Sequence, residues 1–427
     1  MVILFLIILL FAAIFAGIPI CWAIGFIGII GLLSTGSNPL TMIPQCLYSG
    51  INYFPLLAIP FFIFAGEIMN KGGITKSLVN LSQLIIGRIP GGLAHVNILA
   101  SMFFGGITGS AQADTSCIGG ILIPAMKEEG YTAETAVAVT ASSSCIGPII
   151  PPSILMVLYG CTMNVSIGSM FLGGIIPGIL VGFALMAVVA LQNRTYHFPY
   201  STKKYTKSEV KSVLLQAIIP LGMPFIIMGG ILGGIFTATE AGAIAVLYAL
   251  FVSVFLLKTV KWTDLPPMLK VTAQTTASIL IIVGCSKILS WVMALLKIQQ
   301  IISSFLATYV GTAVMFLLIV NVFLLFMGTF MDASASLLLL APILAPIAVQ
   351  YGIDPIHFGL IMCINLVIGH ATPPMGLCLF IACKLGKVPL DKGGLAIFPY
   401  VVAEVAVLLL VTYIPQITQV LPALLNG

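Results

Sequence analysis

From Met1 to Leu33 the chain carries no charged side chain, and the stretch from Leu172 to Gln192 carries none either. About 20 apolar residues in a helix cross the roughly 30 Å hydrocarbon core of a bilayer. Inside that core every backbone N–H and C=O must be satisfied within the protein, which favours helices for such runs. The full 427 residues are 60% hydrophobic and only 7% charged, whereas soluble domains carry about 25% charged residues. The fold class is therefore an all-α polytopic membrane protein.

The opening "MVILFLIILL" lacks the basic stretch of a secretory signal and runs on past any short cleavable segment, so it is expected as a retained first membrane helix. The formal charge of +5 comes from basic residues in short loops between apolar runs, which argues against nucleic acid as a partner. Nine cysteines are scattered without a CxxC pair and read as small apolar fillers. No HExxH, GxSxG or Walker glycine loop is present.

Spanning segments are expected at about 2–16, 19–33, 55–70, 133–160, 169–192, 213–234, 239–257, 272–291, 356–383 and 395–420. Two more apolar regions, about 92–125 and 312–349, have polar, glycine-containing middles, "GGITGSAQAD" and "GTFMDAS". Each half of such a region is short for a crossing, so both read as re-entrant helical hairpins. Amphipathic segments, "KGGITKSLVNLSQLIIGRIPGG" and "LLKIQQIISSFLATYVG", precede them and suit helices at the membrane interface.

Positive-inside counting orients this arrangement. With the central loop "NRTYHFPYSTKKYTKSEVK" cytoplasmic, all but Lys287 and Lys297 of the 17 basic residues fall on the cytoplasmic side. The outer segments 34–54 and 161–168 contain no Lys or Arg, and both termini are placed on the outer face.

The two halves then overlay. A shift of 222 residues carries Pro124 onto Pro346, Gly130 onto Gly352 and Pro151-Pro152 onto Pro373-Pro374. Shifts of 219 and 218 carry Gly109 onto Gly328 and Asp114 onto Asp332. Each half holds five crossings and one hairpin, and an odd number inverts the second half relative to the first. The expected division is a first repeat 1–195, a cytoplasmic linker 196–212 and a second repeat 213–427. Inverted repeats with helices broken near the midplane are an arrangement of secondary transporters.

"GPIIPPSILM" and "HATPPMGLCL" break the helices at 133–160 and 356–383. Proline removes a donor and clashes with the preceding turn. Freed carbonyls attract cations, and freed N–H groups at half-helix N-termini attract anions. The first break offers Ser142, Ser143, Ser144, Gly147 and Pro151, and the first hairpin tip Gly109, Ser110, Gln112 and Asp114. The second pair offers Asn365, Gly369, Thr372 and Pro373 with Gly328, Thr329, Asp332 and Ser334. Such hard, mostly neutral oxygen donors suit Na⁺. The competing reading is that the Ser and Thr hydroxyls bond only to neighbouring carbonyls. Asp114 and Asp332 are candidates either for ion coordination or for capping the second hairpin arms, and His370, beside the second break, for packing or capping. No intramembrane Arg offers an anion clamp, so an anionic substrate must rely on helix N-termini, hydroxyls or a previously bound sodium ion. Proton coupling through Asp114, Asp332 or His370, an Asp114/Asp332 carboxylate dyad, and a passive scaffold stay open as alternatives.

"GSAQAD", "GYTAETAVAVTASSSCIGPIIPPS", "GIFTATEAGAIAVLYAL" and "IGHATPPMGLCLF", in this order, resemble the large membrane subunit of tripartite ATP-independent periplasmic transporters, the DctM-like family. The resemblance covers essentially the whole chain and implies an elevator-type ion transporter fold in the bacterial inner membrane. It implies Na⁺-driven uptake of an organic acid, such as sialic acid or a C4-dicarboxylate, delivered by a soluble periplasmic binding protein. A small four-helix membrane subunit is the implied second partner. By motif, ion and substrate sites are implied at Gly109, Ser110, Ser144, Gly147, Gly328, Thr329, Asp332, Gly369 and Thr372. Ala238 stands where the family's glutamate motif usually has proline.

Overall fold

The computed structural model describes residues 2–34, 40–199 and 205–426. Lys203 and Lys204 of the central loop, and part of the outer segment 34–54, lie outside them. Among the described residues every regular element is helical. The first repeat runs α1 (Val2–Phe15), α2 (Ile20–Ser34), α3 (Met42–Ile51), α4 (Ala58–Lys71), α5 (Ile74–Ile86), α6 (Gly92–Thr108), α7 (Ala111–Glu128), α8 (Ala133–Ser143), α9 (Ile154–Met163) and α10 (Ile167–Tyr196). The second begins with α11 (Lys207–Leu232), α12 (Ala238–Leu250), α13 (Leu265–Leu295), α14 (Ile298–Tyr309) and α15 (Ala313–Phe330). It ends with α16 (Ala333–Gln350), α17 (Pro355–Gly369), α18 (Leu377–Gly386), α19 (Leu390–Tyr413) and α20 (Gln416–Asn426).

Two groups of helices result. Helices α2, α3, α4 and α12 pack around α13 or its neighbours and form a frame. The hairpins α6/α7 and α15/α16, the half-helices α8, α9, α17 and α18, and the long α10 and α19 form the second group, which holds most of the fully buried side chains. The amphipathic α5 and α14 brace the hairpin arms. α5 packs its buried Ile74, Leu78 and Leu81 toward α6, and Gln299 of α14 donates from Nε2 to Pro342 O of α16 at 2.9 Å.

Local sequence sets the helix ends. Thr237 and Glu240 form a reciprocal capping box at the start of α12, in which Glu240 Oε2 accepts from Thr237 N at 2.8 Å. Thr237 is the cap, so that helix opens at Ala238, one residue before the expected start of the span at 239.

Three expectations differ from the structure. The segment 34–54, where the sequence places no helix, contains α3, a short amphipathic helix packed on α13. The run 395–420 is two helices, because Pro415 falls between α19 and α20 and cannot continue the backbone ladder. The arms of the second hairpin are not short: α15 and α16 have 18 residues each and belong to the eight helical stretches, among the described residues, that are long and apolar enough to cross a membrane. The hairpin is instead defined by its tip, which ends against the other hairpin's tip. Gln112 Nε2 donates to Asp332 Oδ1 at 3.0 Å.

Candidate functional site

At the first break α8 runs into a single 3₁₀ turn, Ser144–Ile146, and the chain passes through a cis Pro151-Pro152 bond before Ser153 caps α9. The second break has the same plan, with a cis Pro373-Pro374 bond between α17 and α18. The first break is buried, whereas Pro374 and Met375 of the second are exposed.

Each hairpin closes against the break of its own repeat through paired glycines. A methyl group on Gly105 would lie 2.6 Å from the Gly147 Cα, and one on Gly369 would lie 2.5 Å from the Gly328 Cα. Only hydrogen fits at these crossings, so backbone meets backbone. Gly109 adds a left-handed φ of +59° at the tip of the first hairpin, a conformation that glycine adopts without steric cost. The repeats also touch across their symmetry relation: Cys145 Sγ lies 3.2 Å from Val367 O, which is 222 residues away.

A cavity of about 550 Å³ lies where both tips and both breaks meet the frame. Gly109, Ser110 and Gln112 line it from one tip, and Asp332 and Ser334 from the other. Val367 and His370 come from the second break, and Thr275 and Ser278 from α13. The first residues of three helices border it: Ala111 of α7, Ile154 of α9 and Ala333 of α16. A helix N-terminus carries roughly half a positive charge. Three of them converge on a cavity whose lining contains no Lys or Arg.

The two aspartates have different surroundings. Asp332 is the N-cap of α16, accepting from Ser334 N at 2.9 Å as well as from Gln112. The matching N-cap of α7 is Ser110, so a shift of 222, not 218, relates the tips. Asp114 lies one turn inside α7 and superposes in that register on Ser336 rather than on Asp332. It is fully buried, Ser101 Oγ donates to its Oδ1 at 3.3 Å, and its Oδ2 has no hydrogen-bond partner. That oxygen is 3.7 Å from where a Gly147 Cβ would stand, so it faces the first break.

Ser143 joins a buried network rather than the cavity wall. It donates to Asn97 Oδ1 at 3.1 Å, and Asn97 Nδ2 donates to Thr140 Oγ1 at 2.7 Å. Asn365, at the same position of the second repeat, donates to Asn321 Oδ1 at 2.8 Å and leaves its own Oδ1 unpartnered. The Ser144, Thr329 and Thr372 hydroxyls donate to Thr140 O, Phe326 O and Ile368 O at 2.7–2.9 Å. A hydroxyl that spends its only proton this way still presents lone pairs outward. His370 serves as a cap: its Nε2 accepts from Ala333 N at 3.1 Å, leaving Nδ1 buried without a partner.

Glu404 of α19 was not distinguished by the sequence. It is fully buried and neither carboxyl oxygen has a hydrogen-bond partner. A lone glutamate in the apolar run "VVAEVAVLLL" carries no spacing signal. Glu404→Leu is expected to stabilise the protein by about 1 kcal/mol, since it removes an unsatisfied buried polar group. Thermal melting checks this, and a lower Tm would mean that the carboxyl makes a needed contact.

A family model described as "Tripartite ATP-independent periplasmic transporter, DctM component" matches residues 7–417. The chain is 38% identical to the sialic acid TRAP transporter large permease protein SiaM of Vibrio cholerae, over 97% of this chain and 96% of that one. It is 33% identical to the C4-dicarboxylate TRAP transporter large permease protein DctM of Rhodobacter capsulatus, over 98% of each. An uncharacterized Salmonella typhimurium protein, YgiK, is 41% identical over 97% of this chain and 96% of its own. In fold the chain resembles the YdaH transporter of Alcanivorax borkumensis, with a TM-score of 0.64 at 13% identity, over 92% of this chain and 98% of that one. Matched along nearly its whole length, the chain belongs to the DctM component family of tripartite ATP-independent periplasmic transporters, and is a multi-pass membrane transport protein rather than an enzyme.

Proposed function

We propose that this protein is the large membrane subunit of a Na⁺-coupled importer of an organic acid. The observation that carries this reading is the meeting of three helix N-termini at a cavity whose lining contains hydroxyls but no Lys or Arg. Such a site attracts a carboxylate through helix ends and hydroxyls, and a cation bound nearby strengthens it. Sodium ions bind beside the two glycine crossings, held on the first side by Ser144 and Gly147 of the break with Gly109 and Ser110 of the tip, and on the second by Gly369 and Thr372 with Gly328 and Thr329. Pro151 and Pro373 hold the breaks open, and Asp114 supplies the anionic oxygen on the first side. A cavity of about 550 Å³ accommodates either a C4-dicarboxylate or a sialic acid, the substrates named for two of the relatives.

In this reading the acid arrives on a soluble periplasmic binding protein, and a small four-helix membrane subunit stands beside the frame. The complex lies in the bacterial inner membrane with the central loop cytoplasmic and both termini periplasmic. The hairpins and breaks travel as one unit along the frame, in an elevator movement.

The test is uptake of labelled sialic acid and succinate into proteoliposomes holding this chain, its small subunit and its binding protein. An inward Na⁺ gradient is expected to drive uptake of one of the two acids. Equal uptake without the gradient refutes sodium coupling, and uptake driven by a pH gradient alone replaces it with proton coupling.

A further inference from the structure

Lys287 is one of the two basic residues on the wrong side of the charge count. It lies on α13, one turn before Trp291, and its side chain is exposed. Among the described residues no carboxylate pairs with it. It lines a cavity of about 350 Å³ with Ser49, Tyr53, Asn164, Ser286, Ser290 and Gln299, the first three from the segments read as outer. It also borders a second hollow, of about 510 Å³, shared with Ser49, Ser290 and Trp291.

This polar cavity lies in register with the central one. α13 contributes Ile282 to the central cavity and Val283, Ser286 and Lys287 to the outer one. α16 contributes Ser334 and Ala335 to the central cavity and Leu338, Pro342 and Pro346 to the outer one. At 1.5 Å of rise per residue, the two lie about 10 Å apart along the same pair of helices. Both are walled on one side by the frame and on the other by a hairpin arm.

The polar groups of the outer cavity are also incompletely used. Ser290 Oγ donates to Ser286 O at 2.8 Å, and Tyr53 Oη donates to Asn164 Oδ1 at 3.2 Å. Ser286 itself is only 4% exposed, yet its Oγ has no hydrogen-bond partner. An unpaired ammonium and an unpaired buried hydroxyl belong to neighbouring residues that both line a space of ligand size. Small-molecule sites measure roughly 300–1,000 Å³.

We propose that this cavity is a capture site for the organic acid, in which Lys287 takes the substrate's carboxylate on the outer side before it passes between α13 and α16 to the central cavity. The proposal rests on the orientation and the transport reading given above. It supplies the one fixed cation that the central site lacks, placed where an anion is gathered and released rather than where it is carried. A weak, exposed charge suits a station that must let go, because tight charge pairing slows release.

The complex of this chain with its small subunit is titrated with sialic acid, with succinate and with their methyl esters, following the fluorescence of Trp291 as the difference from a Trp291→Phe complex. The acid that is taken up is expected to change that signal, and its ester is not. Lys287→Ala is expected to weaken the response about tenfold, the equivalent of about 1.4 kcal/mol, and Lys287→Arg to keep it. In uptake, Lys287→Ala raises KM for the loaded binding protein and leaves kcat unchanged. Equal affinities of wild type and Lys287→Ala overturn the proposal, as do equal responses to acid and ester, or an effect that appears only as loss of the small subunit. Sodium-driven uptake with a silent Trp291 overturns the capture site and leaves the transport reading standing. A Lys287-dependent response without sodium-driven uptake does the reverse.

Discussion

Gly369→Ala is expected to abolish uptake and to destabilise the protein by about 1–3 kcal/mol, the usual cost of forcing atoms into a packed interior. The added methyl would lie 2.5 Å from both the Cα and the carbonyl carbon of Gly328. These are backbone atoms in α15, so no rotamer change can clear them, and the hairpin must part from the broken helix. Gly376 N donates to Thr329 O at 3.2 Å on the same face and would be pulled out of register. Gly120→Ala is the matched control, since a methyl there meets nothing within 4 Å and alanine favours the helix. Thermal melting and proteoliposome uptake of the two variants side by side check the prediction. A Gly369→Ala protein that transports normally would show that the crossing is looser than its geometry.

The second large effect concerns Asp114. If it faces a sodium ion at the first break, sodium stabilises the folded protein by mass action, about 2.7 kcal/mol when the ion is at 100 times its Kd. Raising NaCl at constant ionic strength against choline chloride is therefore expected to raise the Tm of the wild type. Asp114→Asn keeps the shape and the contact to Ser101 but removes the charge. It is expected to lose most of that increment and to need about tenfold more Na⁺ for half-maximal uptake, equivalent to about 1.4 kcal/mol. An Asp114→Asn protein with the full increment would leave the ion to neutral oxygens alone and return Asp114 to a packing role.

Much of this architecture was legible because helix breakers are rare in apolar sequence and costly in lipid. Pro151-Pro152 and Pro373-Pro374 marked both breaks, and Gly109 and Gly328 marked the neighbourhood of both tips. What escaped depended on helix phase or on tertiary contact. Asp114 and Asp332 were matched by residue type, yet the caps show that Ser110 and Asp332 occupy the same position. Matching by chemistry overlooked a one-turn displacement, which along a helix leaves a residue on a similar face but at another depth. Helix α3 has Pro44 and Gly50 within or near its ends and forms because α13 supplies its other half. The capping role of His370 was one of two readings in the sequence; the choice between them required the fold to bring Ala333 to its ring.

The contact of Cys145 with Val367, its own counterpart in the second repeat, bears on how the protein is made. α18 packs against α7 and α8, and α20 against α10, so the half that leaves the ribosome first is completed by the half that leaves last. Contacts so distant in sequence form slowly, because a long loop must close before they can form. Until then the first hairpin and first break have no second repeat to cover them, and their polar groups must be met by water, by lipid headgroups or by the insertion machinery. The nascent chain therefore passes through a stage in which its future binding centre is the part of it least suited to the bilayer.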